Sequence, residues 1–166
     1  LEFRRVLFRS PIFAMNLMII FLRPMITQLA VFLEERKISH FITYKNNLFR
    51  ILLGTCTLIY IVGAFIAIPA LDIVYGTDLK QYQSSFLILL MGGVASTFST
   101  VCDNILTVFR KQHYLIISFV VGYLVSIMTA RTLVLKYEIL GASLSFLCAM
   151  ISWLIVSLVI YFITSP

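Results

Sequence analysis

The chain has 166 residues, 61% hydrophobic and 12% charged, with a mean hydropathy of +1.02, whereas a soluble domain is about half apolar and a quarter charged. A water-soluble globule cannot bury that excess, and the apolar residues fall into long runs broken by short polar patches, the layout of repeated bilayer crossings. The net charge of +6 does not signal nucleic acid, because the basic residues stand at the ends of apolar runs and form no stripe interleaved with exposed aromatics.

Residues 1–10, LEFRRVLFRS, resemble the translation of a sequencing-adapter oligonucleotide, so the genuine chain is expected to start at Pro11. Without them the Lys and Arg residues number 10 and the Asp and Glu residues 6. The segment 11–23 is apolar but too short to cross a hydrocarbon core about 30 Å thick, and it reads as a half span closed by Arg23-Pro24. From Met25 the apolar residues Met25, Ile26, Leu29, Phe32 and Leu33 recur at helical spacing. Polar residues fill the other positions, which predicts an amphipathic helix over 25–47 lying on the membrane surface.

Four complete spans are predicted after it, at 51–74, 85–109, 114–133 and 139–163. The first is preceded by Lys45 and Arg50, carries Pro69 in its last third, and stops at Tyr75-Gly76-Thr77-Asp78. Arg110-Lys111-Gln112-His113 is a four-residue connection that sends the third span back beside the second. Lys136-Tyr137-Glu138 links the third to the fourth. The fold class is therefore an all-α integral membrane protein, an antiparallel transmembrane helix bundle of four full spans and one truncated span. Lys and Arg accumulate on the cytoplasmic side of membrane proteins. Arg23, Arg36, Lys37, Lys45, Arg50, Arg110 and Lys111 fall on one side against Lys80, Arg131 and Lys136 on the other, which puts the C-terminus in the cytoplasm.

The span 85–109 is the least lipid-like. Gly92, Ser96, Thr100, Asp103 and Thr107 follow one another at helical spacing and share one face. Two readings stand: a face lining a substrate path, with Asp103 as its charge, or close helix packing through small residues whose hydroxyls bond across helices and back to their own carbonyls. A carboxylate in a span costs about 2.5 to 3.5 kcal/mol on insertion scales, so Asp103 needs a reason to be there. Arg23 is a candidate contact for an anionic head group, with anchoring at the inner surface as the alternative. Cys56, Cys102 and Cys148 sit inside apolar runs as small hydrophobes. His40 and His113, read as loop residues, have no Glu or Cys at ligand spacing, so no metal or other cofactor is expected. There is no nucleophile elbow, phosphate loop or paired acidic motif of an enzyme.

From Pro11 onward the chain resembles the C-terminal part of polysaccharide flippases of the multidrug/oligosaccharidyl-lipid/polysaccharide transporter superfamily. The resemblance rests on Arg23-Pro24 before a surface helix, on Ile73-Val74-Tyr75-Gly76, on Phe109-Arg110-Lys111, and on Tyr137-Glu138-Ile139-Leu140-Gly141-Ala142-Ser143. That last element is similar to the family's Tyr-Gly-x-x-Gly-Ala entry to a span, with Glu138 in the place of a glycine. The resemblance implies part of the C-terminal lobe of a two-lobe transporter. Its cargo would be a glycan on polyprenyl pyrophosphate, crossing a bacterial plasma membrane without covalent chemistry and with an ion as a possible driving partner. The alternatives are a multidrug/cation antiporter of the same superfamily, with Asp103 as a coupling site, and a non-catalytic membrane subunit.

Overall fold

The structure is a computed structural model that describes residue 20, residues 23–35, 37–67, 69 and 82–164. The adapter-like segment, nearly all of the half span 11–23, Arg36, Ile73–Gly76 and Lys80 lie outside the described residues. Among the described residues every element is helical: α1 (23–34), α2 (Ile38–Val62), a π-helical turn (Gly63–Ala67), α3 (Gln83–Val108), a short 3-10 turn (Gln112–Tyr114) and α4 (Leu115–Thr164). Three helical stretches, Ser39–Ile66, Gln83–Val108 and Gln112–Ile163, are long and apolar enough to cross a membrane.

The expected surface helix is not one element. The chain turns at 35–37, where the Lys37 amide reaches the Phe32 carbonyl at 3.1 Å and the Lys37 ammonium pairs with Glu35 at 2.7 Å. Everything from 38 onward belongs to the helix that the sequence placed at 51–74. The physical reason is a single buried stripe: Phe41, Leu48, Leu52 and Cys56 keep one face of α2 apolar across the polar Lys45-Asn46-Asn47, so nothing breaks the helix there. Helix α1 folds back along α2. Phe32 meets His40 and Tyr44 ring to ring, and the Tyr44 hydroxyl donates to Gln28 Oε1. Near its other end α2 loosens into the π-helical turn Gly63–Ala67, just ahead of Pro69, which has no N–H to give to a carbonyl four residues back.

Helix α3 is the most enclosed of the three, with 61% of its membrane-length window buried against 11% and 22% for the others. Phe49 lies against Phe98 and Phe41 against Phe109, so α2 and α3 run in opposite directions. Together with Leu29 of α1 and Tyr161 of α4 they close one core of Leu48, Leu52, Cys56, Val101 and Ile105. A Schellman motif ends α3, with the Arg110 amide on the Thr107 carbonyl at 2.9 Å and the Lys111 amide on that of Leu106 at 3.1 Å. Arg110 takes φ 58° there, where a glycine is usual.

Helix α4 has 50 residues, about 75 Å if it were straight, and it is not straight. Glu138 takes φ 48° and ψ −116°, and the chain reverses there into two arms, 115–137 and 139–164. Phe119 packs on Trp153, a Cβ on Gly122 would stand 3.4 Å from Trp153, and Thr129 Oγ1 lies 3.0 Å from Ser145 Oγ. Numbers that rise on one arm thus fall on the other, the register of an antiparallel hairpin. The first arm continues to 137, four residues past the expected end at 133, because Val134 and Leu135 are apolar and simply extend the helix.

Candidate functional site

Seen from α3, the second arm is a parallel neighbour. A Cβ on Gly92 would fall 2.7 Å from the Phe146 ring, and Asp103 meets Ser157; both pairs are 54 residues apart, so the two helices advance in step. The glycine allows the closest approach, since small residues let helix backbones come together in a bilayer.

Asp103 is 7% exposed. Its Oδ1 accepts a hydrogen bond from the Ser157 hydroxyl at 2.8 Å, and its Oδ2 accepts one from Trp153 Nε1 at 3.1 Å. Trp153 and Ser157 are one helical turn apart and so share a face. Both donors are neutral, and the ion pair of Lys37 with Glu35 lies elsewhere. The arrangement is a carboxylate clamped between two helices by an indole and a hydroxyl.

The other residues of the stripe bond within α3. The Ser96 hydroxyl donates to the Gly93 carbonyl at 2.7 Å, Thr100 to Ser96 at 2.8 Å and Thr107 to Asp103 at 3.0 Å. Thr97 and Ser99, which the sequence did not single out, are fully buried and bond back to Gly93 and Ala95. Among the described residues, Asp103 is the one candidate path residue whose side chain has partners on another helix. Arg23 is exposed in the first turn of α1 and makes no part of this cluster.

Trp153 and Ser157 were missed in the sequence. Their signal was present: the single tryptophan of the chain, followed one turn later by a serine in an otherwise aliphatic stretch, carries two donors that need an acceptor in hydrocarbon. Ser118 Oγ on the first arm is fully buried and finds no hydrogen-bond partner among the described residues. His40 lies in the first turn of α2 and His113 in the 3-10 turn, not in irregular loops. No three His, Cys, Asp or Glu side chains converge among the described residues.

No family model matches the chain, and no curated protein and no solved structure matches it either.

Proposed function

We propose that the chain is part of a multi-pass transporter that carries a lipid-linked oligosaccharide or polysaccharide precursor across a bacterial plasma membrane. The polypeptide crosses four times, with the two arms of α4 as separate spans, and performs no covalent chemistry. One observation carries the reading: of the three membrane-length stretches the most enclosed, α3, is also the least apolar, whereas α2 and the α4 hairpin present large apolar side chains such as Leu53, Leu58, Phe119 and Leu124 outward. Polar side chains held behind an apolar exterior suit a path through a bilayer, and equally the close helix packing that the back-bonded hydroxyls of α3 display. Short connections support it further, since residues 109–114 and the reversal at Glu138 leave no room for the catalytic domain a membrane glycan polymerase needs.

Orientation follows from the ends of the bundle. The turn at 35–37, the connection 109–114 and the end of the second arm lie at one end, where Lys45 Nζ sits 5.6 Å from the Tyr161 ring centroid. Lys37, Lys45, Arg110 and Lys111 cluster there, which makes it the cytoplasmic end and puts the C-terminus inside. The bilayer and a polyprenyl-pyrophosphate glycan are the partners, and a coupling ion accompanies them.

A second reading, a multidrug/cation antiporter, draws on Asp103: a carboxylate held only by neutral donors has its charge free for a proton or metal cation. Export assays separate the two. Expressing the full gene in a strain lacking its polysaccharide flippase is expected to restore surface glycan, and Asp103→Asn to abolish that rescue at unchanged protein level. Restored drug resistance without glycan export would replace the first reading by the second.

A further inference from the structure

The cytoplasmic end carries a second polar concavity, separate from Asp103. His40, Thr43, Asn47 and Arg50 follow one another at helical spacing along the exposed face of α2, and with Tyr44 and Asn46 of the same helix and Phe32 of α1 they line a cleft of about 360 Å³. That volume is at the lower end of the range for ligand pockets. The lining offers a guanidinium, an imidazole, two amides and two hydroxyls, and no carboxylate. Glu35, in the turn between α1 and α2, is already paired with Lys37.

The hairpin sets a second arginine at the same height as Arg50, outside the lining. Phe32 beside His40 and Gln28 beside Tyr44 set an antiparallel register, and that register carries Arg23 to the level of Phe49 and Arg50. Two arginines 27 residues apart in sequence thus stand at one height. The charge-free stretch Ile51–Val62 begins at the next residue of α2, so the height is that at which the polar end of α2 gives way to its apolar part. Arginine side chains at a membrane boundary reach toward head groups while their stems stay in apolar surroundings. The guanidinium fork matches phosphate oxygens in pairs.

We propose that this cleft binds the phosphate of an anionic phospholipid head group from the cytoplasmic leaflet, with Arg50 as the principal contact and Asn47, Thr43 and His40 as further donors. The site rests on the transmembrane reading of α2 and is independent of what the transporter carries. Its occupant would hold α1 against α2 at the leaflet surface, where anionic lipid is concentrated and basic side chains gain from it.

The test uses the purified full-length protein in detergent, titrated with phosphatidylglycerol and with phosphatidylcholine, with bound lipid read by native mass spectrometry. Phosphatidylglycerol is expected to bind more tightly, and Arg50→Gln to weaken it about fivefold, the effect of one basic residue at an anionic surface. Arg50→Lys is expected to keep part of the preference. Arg110→Gln, which removes an exposed arginine at the same end but outside the cleft, is expected to leave it unchanged. Equal binding of the two lipids, or equal loss in Arg50→Gln and Arg110→Gln, overturns the site. Displacement of the lipid by millimolar inorganic phosphate, or by polyprenyl pyrophosphate in preference to phosphatidylglycerol, overturns the phospholipid assignment. A chain that dissolves without detergent overturns the inference together with the transmembrane reading beneath it.

Discussion

Ser157 gives its hydroxyl hydrogen to Asp103 Oδ1 at 2.8 Å while Trp153 gives its indole hydrogen to Oδ2 at 3.1 Å, so one carboxylate ties α3 to a helix some 50 residues further along the chain. Each partner answers a need of the other. The acid requires donors where no water reaches it, and the indole N–H, which can only donate, requires an acceptor.

Removing either side has unequal consequences. Ser157→Ala is expected to cost about 1 kcal/mol, the scale of an interhelical hydrogen bond in a bilayer, because Trp153 still holds the acid. Asp103→Ala strands the Trp153 N–H, since Ser157 can bond back to its own helix, and is expected to cost roughly 2 kcal/mol. Thermal unfolding in detergent, followed by tryptophan fluorescence, reports both. Equal, negligible losses would show that the clamp does not hold the helices together.

The hairpin of α4 depends on Gly141. A Cβ there would fall onto the Leu133 carbonyl, backbone that cannot move aside as a flexible side chain can. Gly141→Ala is therefore expected to open the hairpin and lower the melting temperature. The paired replacements Thr129→Cys and Ser145→Cys, at hydroxyls 3.0 Å apart, should cross-link in the parent and fail to do so with alanine at 141. Cross-linking unaffected by the alanine would mean that the arms do not need the glycine.

Glu138 is a non-glycine residue held at φ 48°, a conformation that costs on the order of 1–3 kcal/mol. Glycine relieves that strain but adds freedom to the unfolded chain, offsetting about 0.4–1 kcal/mol. The net expectation for Glu138→Gly is a more stable protein in the same unfolding assay. A destabilised variant would show that the Glu138 side chain contributes more than its backbone costs.

Topology is open to direct measurement. Reporter fusions at Gln112 and at Glu138 flank the first arm and are expected to lie on opposite faces of the membrane, Gln112 inside. Both on one face would remove the arm from the list of spans. A reversed pair would keep the spans and invert the assignment of the basic end.

The helical, membrane-length character of the chain was legible in its residues, because hydrocarbon acts on each segment alone: a run of about twenty apolar side chains satisfies its own backbone only as a helix. The small-residue face of α3 was legible for the same reason, as a periodicity within one helix. What the residues in order did not contain was which faces meet. The sequence put a boundary near Arg50 on local polarity, yet the stripe Phe41, Leu48, Leu52 and Cys56 packs against α3 and carries α2 straight through it. Likewise nothing along the chain marked Trp153 and Ser157 as the partners of Asp103, for which Arg110 was the nearer candidate in sequence, and Arg23 and Arg50 stood far apart. Only the parallel packing of α3 with the second arm brings Trp153 and Ser157 to the acid, and only the α1–α2 hairpin sets the two arginines at one height. Such pairings depend on the register between helices, which arises from side-chain packing across segments distant in the chain and leaves no mark on either segment by itself.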